Sequence, residues 1–392
     1  MELRSLTPPW PLIIGTSTLL FAVMITSFTP TPLYPLYQQQ WGLTDGYISV
    51  AFTAYPVSVV LTLIFLGGLS DKFGRRNTLI IGMIILAIAL IVLASATHYP
   101  LLVLGCFIFG VGAAMATGTG AATLMESHPE GIARGSLVNT LSVPGGSAIG
   151  PLLAGLLAGA TVIPLVAPYL VILLLLPVPL ILLLKSRDVV PKTRTARLIR
   201  PIRLPRHISA AFSIAGATVL GTNVCMGIFG SFGSIIAATV GWDRELLRGL
   251  LVSLVLVMLA AVQPFSRNLP AKNSMYAGIG SSAAGWALVT IAATTSFVPL
   301  MVFGSMVVGG GAGMCLMGSA ALIGIISPVD QRAEVYSAFL IVAFTALGVT
   351  ALIAGPLIGL VSITAVLISA CVICTFLTGY VVFGSRRWLA SM

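Results

Sequence analysis

The sequence predicts an all-α integral membrane protein of twelve transmembrane helices, laid out as two six-helix halves. Three observations lead there. Of 392 residues, 58% are hydrophobic and 8% charged, with a mean hydropathy of +1.08; an ordinary soluble domain carries about 25% charged residues. The apolar residues fall in continuous runs of about 20, the length that crosses a bilayer core as a helix, and not in the alternating pattern of a membrane barrel. The chain also echoes itself at an offset of about 200 residues. Gly110–Ala114 is echoed by Gly309–Gly313, His128-Pro129 through Arg134 by Ser327-Pro328 through Arg332, and Gly150-Pro151-Leu152-Leu153 by Gly355-Pro356-Leu357-Ile358.

Span 1 covers about 11–29 and has no small-residue cleavage site after it, so it reads as an uncleaved span rather than a signal peptide. It ends in Pro30-Thr31-Pro32-Leu33-Tyr34-Pro35, and Trp41 and Tyr47 flank the outer loop as interfacial aromatics do. Spans 2 and 3, about 46–66 and 78–96, are joined by Gly67-Gly68-Leu69-Ser70-Asp71-Lys72-Phe73-Gly74-Arg75-Arg76. This is a tight, charged hairpin at a membrane surface. Its glycines allow close approach of the two helix ends, and Gly74 can supply a positive φ. Span 4, about 101–125, carries Gly105, Gly110, Gly112, Gly118 and Gly120, which let a neighbouring backbone come close. A short loop precedes span 5 at about 136–159, and span 6 follows at about 162–184. Lys185–His207 then breaks the apolar pattern with eight Lys and Arg, three prolines and one acid, Asp188. It is a basic linker, either lying on an anionic leaflet or serving as a solvated tether. Six more spans follow, at about 208–230, 246–265, 275–295, 298–326, 335–357 and 361–383, before Arg386 and Arg387.

The net charge of +10 is explained by its distribution and does not indicate a nucleic-acid partner. All Lys and Arg except Arg244 and Arg248 fall on one side of the predicted membrane, which makes that side cytoplasmic and puts both termini inside. Cys106, Cys225, Cys315, Cys371 and Cys374 lie in apolar spans and suggest no disulfide framework. His98, His128 and His207 lie near span ends without a ligand partner at helical spacing, so no metal or cofactor is expected. All ten acids sit in loops or at span ends. No mid-span carboxylate is available to carry a proton, and no polar cluster of the kind a membrane-embedded enzyme needs is present.

The Gly67–Arg76 stretch resembles the signature loop between helices 2 and 3 of the major facilitator superfamily. Gly67, Leu69, Asp71, Gly74, Arg75 and Arg76 match it, with Lys72 in a basic slot. The second-half copy, Ser266–Lys272, keeps two bases and no acid. Span 5 is similar to the antiporter motif of drug and metabolite exporters: Gly146, Gly150, Pro151 and Gly155 match, and Ala154 replaces one glycine. A third motif departs, because Cys106 stands where exporters commonly have arginine, and span 1 lacks the acid many proton-coupled exporters carry.

The resemblance implies two six-helix bundles related by pseudo-two-fold symmetry, with residues 1–184 and 208–392 joined by the linker 185–207. Alternating access would take place about a midplane site. It also implies an inner gate in which Asp71 packs at the start of helix 11 and Arg75 pairs with Glu126. The cavity would be lined by helices 1, 4, 7 and 10, which offers Thr26, Cys106, Met115, Asn223, Met226 and Met314. Tyr55, Asn139, Gln263 and Phe344 would come from adjacent helices. With no charged anchor, the substrate is read as a neutral, amphipathic or delocalised cationic small molecule.

The function expected is export of hydrophobic or amphipathic compounds from a prokaryotic plasma membrane, in the drug:proton antiporter branch, with protons as coupling ion and a monomer among membrane lipids. A facilitator or importer of a small neutral metabolite remains open, and more remotely an embedded enzyme or sensor.

Overall fold

The computed structural model describes residues 10–188, 205–328 and 331–390. Among them every regular element is a helix, and twelve helices are long and apolar enough to cross a membrane. Lipid offers no hydrogen-bond partners, so each span satisfies its own backbone. The first half contains α1 (Trp10–Phe28), α2 (Asp45–Leu66), α3 (Arg75–Ala94), α4 (Tyr99–Ser127), α5 (Ile132–Ala160) and α6, which Pro177 divides into Ala167–Leu175 and Pro177–Lys185. The second half contains α7 (Ser209–Ala238), α8 (Glu245–Ser266), α9 (Ala271–Thr295), α10 (Val298–Ile326), α11 (Arg332–Leu360) and α12 (Ile363–Ala390).

The internal repeat is visible in the helix bounds. α2 and α8 begin at Asp45 and Glu245, and α5 and α11 run over 132–160 and 332–360. Packing repeats as well. In the first half α3 and α2 both lie on α4, and α1 lies on α5 and α6; in the second half α9 and α8 lie on α10, and α7 lies on α11 and α12. The two largest interfaces between the halves are α5 against α8 and α2 against α11, and each is the image of the other under the offset. Large apolar side chains such as Leu174, Ile325, Phe376 and Phe383 are exposed around the outside, as a lipid-facing surface requires.

Three sequence expectations change. The proline-rich stretch read as the end of span 1 does not stop the helical path. It forms a 3-10 turn (Thr31–Leu33) and a helix (Tyr34–Trp41) in which Leu33, Tyr34 and Tyr37 are buried. Proline is tolerated at the first positions of a helix, where its missing N–H costs nothing. The signature hairpin is itself helical over Leu69–Phe73, and α3 starts at Arg75, so both arginines lie in its first turn. Gly74 adopts φ 92°, as predicted, but a Cβ on Gly67 would meet only its own helix, at the Leu63 carbonyl. Finally, Gly355 corresponds to Gly155 in the repeat, not to Gly150: α5 and α11 have bounds 200 residues apart, and their contacts agree.

Candidate functional site

At the signature-loop end, the two arginines that open α3 turn opposite ways. Arg75 Nε donates to Glu126 Oε2 at 3.2 Å and Nη2 donates to Oε1 at 2.9 Å, a two-pronged pair with the end of α4. Arg75 Nη1 donates to Ser70 Oγ at 2.8 Å and stands 3.7 Å from Asp71 Oδ1. Arg76 turns toward α6. Its Nε and Nη2 donate to the Leu183 and Leu184 carbonyls at 2.7 and 3.0 Å, and its backbone N–H donates to Asp188 Oδ1 at 2.7 Å. The last carbonyls of a helix lack intrahelical partners and carry partial negative charge, so a guanidinium caps them well. The loop is thereby fixed to α4 and α6 of its own half.

At the far end, the halves meet backbone to backbone. A Cβ on Gly155 of α5 would collide with the Glu245 carbonyl of α8, and one on Gly249 would collide with the Pro151 carbonyl. In the image seam, a Cβ on Gly355 of α11 would lie 2.6 Å from the Asp45 carbonyl and 2.5 Å from Ser49 Oγ of α2. The antiporter-like segment therefore has two faces. Gly146 and Gly150 pack on the Phe21 and Ile25 carbonyls of α1, while Pro151 and Gly155 pack on α8. Hydrogen bonds cross between the halves too. Thr31 Oγ1 donates to the Gly230 carbonyl at 2.6 Å, Ser234 Oγ to the Thr31 carbonyl at 2.8 Å, and Thr53 Oγ1 to the Gly348 carbonyl at 3.2 Å. Further in along this seam, Phe28 and Ala148 of the first half pack with Val252 and Leu256 of the second.

Between these ends, Thr26, Ser27, Tyr34, Tyr55, Cys106 and Phe109 line a cavity of about 10 Å³, room for about one water. No charged side chain lines it. Thr26 and Ser27 donate their protons to the Ala22 and Val23 carbonyls of their own helix, at 2.9 and 3.2 Å, which leaves their oxygens as acceptors. Tyr55 lies tilted against Phe109 at 5.1 Å and meets Phe344 of the other half edge-on at 6.0 Å, so this aromatic group straddles the two halves.

Thr26, Tyr55 and Cys106 thus come together, with Phe344 against Tyr55, and the other expected cavity residues disperse. Met115 lies against Gly82 of α3. Asn223 is buried and donates to its own helix at the Val219 carbonyl, 2.8 Å away. Met226 packs among Phe28, Ala148, Val252 and Leu256 in the seam. Gln263 is buried in the last turn of α8, Asn139 is half-buried in the first third of α5, and the Met314 carbonyl accepts from Ser274 Oγ of α9 at 3.0 Å. Sequence reasoning missed Thr31, Gly230 and Ser234, which carry no signal beyond the proline that precedes Thr31. It also missed Arg248. That residue was assigned to the far surface by its charge, yet only 12% of its side chain is exposed.

Comparison with known proteins agrees with this architecture. The profile of the Major Facilitator Superfamily matches residues 16–285. The chain is 26% identical over 231 residues to an uncharacterised MFS-type transporter, EfpA, of Mycobacterium tuberculosis, covering 59% of this chain and 39% of EfpA. It is 29% identical over 79 residues to the multidrug resistance protein MdtL of Klebsiella pneumoniae, covering 20% of each. The chain therefore spans less than half the length of these curated relatives. Among solved structures, a bacterial homologue of the human lysosomal transporter Spinster, in an inward-facing and unoccupied conformation, superposes with a TM-score of 0.76 at 14% identity over 98% of both chains. Members of this family carry small molecules across membranes and are not enzymes. The extent of the profile match, the twelve spans and the shared fold together establish that this chain belongs to the major facilitator superfamily.

Proposed function

We propose that this transporter exports hydrophobic or amphipathic small molecules across a prokaryotic plasma membrane by alternating access, driven by the proton gradient. The observation that carries this reading is the charge-free, aromatic and hydroxyl-lined cavity beside Tyr55, Phe109 and Phe344, which has room for about one water here and widens to admit a ligand as the halves part. Such a lining suits apolar ligands and delocalised cations, and gives a small carboxylate nothing to pair with. The likeness to a multidrug resistance protein supports export. The basic signature-loop end is the cytoplasmic one by the positive-inside rule, with both termini there. The moving bodies are residues 1–184 and 208–392, working as a monomer. Residues 189–204 of the 185–207 linker between them lie outside the described residues.

In this reading the far-end seams are the outer gate, and Asp71, Arg75 and Glu126 form the inner one. The coupling proton is taken up by an acid at a span end, with Asp71, Glu126 and Asp45 the candidates, since the acids stand nowhere else. The charge-free lining also fits a second reading, a facilitator for a small neutral metabolite. Ethidium and Nile red accumulation in cells with and without the protein separates the two. Export predicts lower accumulation that a protonophore abolishes; accumulation that is unchanged, or unaffected by the protonophore, contradicts proton-driven export.

A further inference from the structure

The two far-end seams share a plan under the 200-residue offset, and one of their differences places a charge. Asp45 and Glu245 each open their helix and present a carbonyl to a glycine of the other half, Gly355 and Gly155. One turn in, Ser49 and Gly249 face those same partner helices. The position between differs. α2 carries Ile48, 1% exposed and part of the apolar core, whereas α8 carries Arg248. Val252, one helical turn beyond Arg248, packs with Phe28 of the first half, so Arg248 shares the face that covers the seam.

Its guanidinium is poorly provided for there. Nε is buried with no hydrogen-bond partner among the described residues, and Nη2 stands 3.6 Å from the Asp243 carboxylate, which is 73% exposed. A buried donor left unpaired forfeits its hydration without a replacement, and a loosely held exposed partner returns little.

We propose that Arg248 is a counterweight to closure of this seam. With the far end shut, the guanidinium is held out of water and incompletely paired; when the end opens it is rehydrated. The residue therefore raises the free energy of the closed state relative to the open one and keeps the seam from locking. Its counterpart, the buried Ile48, carries no such cost, so the two seams differ in how readily they close.

The inference rests on the reading of the far end as a moving seam, and the test distinguishes the two. Hydrogen–deuterium exchange is measured by mass spectrometry on the full chain in nanodiscs, at the amides of 49–56 and 249–256. Arg248→Ile, which puts an apolar side chain here as α2 does at Ile48, is expected to slow exchange there by roughly tenfold and to lower turnover. Arg248→Gln, which keeps a polar side chain if the isoleucine folds poorly, should slow exchange less. Arg248→Lys, which keeps the charge, should stay near the parent. Peptides of α3 and α9 serve as controls and should not change. Exchange that is faster in Arg248→Ile would mean the guanidinium holds the seam shut through Asp243, and overturns the inference. Exchange that responds to Gly155→Ala but not to the Arg248 variants overturns it too and leaves the moving seam intact. Exchange that responds to neither removes both.

Discussion

Gly155→Ala tests the outer gate with a single methyl group. A Cβ at this position meets the Glu245 carbonyl well inside the roughly 3.4 Å at which ordinary contact begins. The obstacle is backbone and cannot rotate away, so α5 and α8 must part by about an ångström, and overpacking of this kind costs about 1–3 kcal/mol. The helix-propensity gain of alanine over glycine, about 1 kcal/mol, applies whether the seam is open or shut, so it cancels in the ratio of the two states. The clash arises only when the seam is shut. The closed state should therefore lose about five- to 150-fold in population relative to the open one. Gly359→Ala is the matched control, since a Cβ there meets nothing within 4 Å. The assay is amide exchange at 249–256 together with ethidium efflux. The variant should exchange faster and turn over more slowly at normal expression, and Gly359→Ala should do neither. Unchanged exchange and efflux in Gly155→Ala would refute the reasoning, because this contact would then not govern the seam.

Substitutions at Asp71, Arg75 and Tyr55 test the remaining parts of the pathway. Asp71→Asn should lower turnover without loss of membrane insertion, because the loop keeps its bases. Arg75→Glu should abolish transport and be partly rescued by Glu126→Arg, which restores the two-pronged pair with its charges exchanged; normal efflux by Asp71→Asn would remove the inner gate. Tyr55→Ala loses ring contacts to Phe109 and Phe344 worth about 0.5–1.5 kcal/mol each. It should raise the half-saturating ethidium concentration several-fold, and Tyr55→Phe much less, as checked by efflux at graded dye concentrations.

The parts of this molecule that were legible in the sequence are those where lipid or charge enforces a pattern. The twelve spans follow from run length, and Arg75 with Glu126 follows from the loop's resemblance to the family signature. Gly74 was legible because the chain must reverse there. The lumen face was not legible. A helix neighbour and a lipid tail are equally apolar, so no polar stripe marks which side of α4 or α8 looks inward. Met115 and Gln263 look like Cys106 in the sequence and lie elsewhere in the fold. The buried turn after Pro30 was hidden for a related reason: prolines and a threonine read only as the end of a span until Gly230 and Ser234, some 200 residues away, supply the threonine's partners. Arg248 was hidden because a cation one turn from a helix start ordinarily reaches water, and only the packing of α5 against α8 shows that this one does not.

The central claim is that the two halves rock about the middle, opening one end as the other closes. Pulsed electron–electron resonance tests it most directly, with spin-label pairs at the equivalent exposed positions 73 and 273 at the signature-loop end and 44 and 244 at the far end. Both pairs are measured in the same nanodisc preparation, with and without ethidium and at two values of pH. The account predicts opposite shifts: conditions that shorten the 73–273 distance lengthen the 44–244 distance. Distances that stay fixed under all conditions, or that lengthen together at both ends, would contradict it.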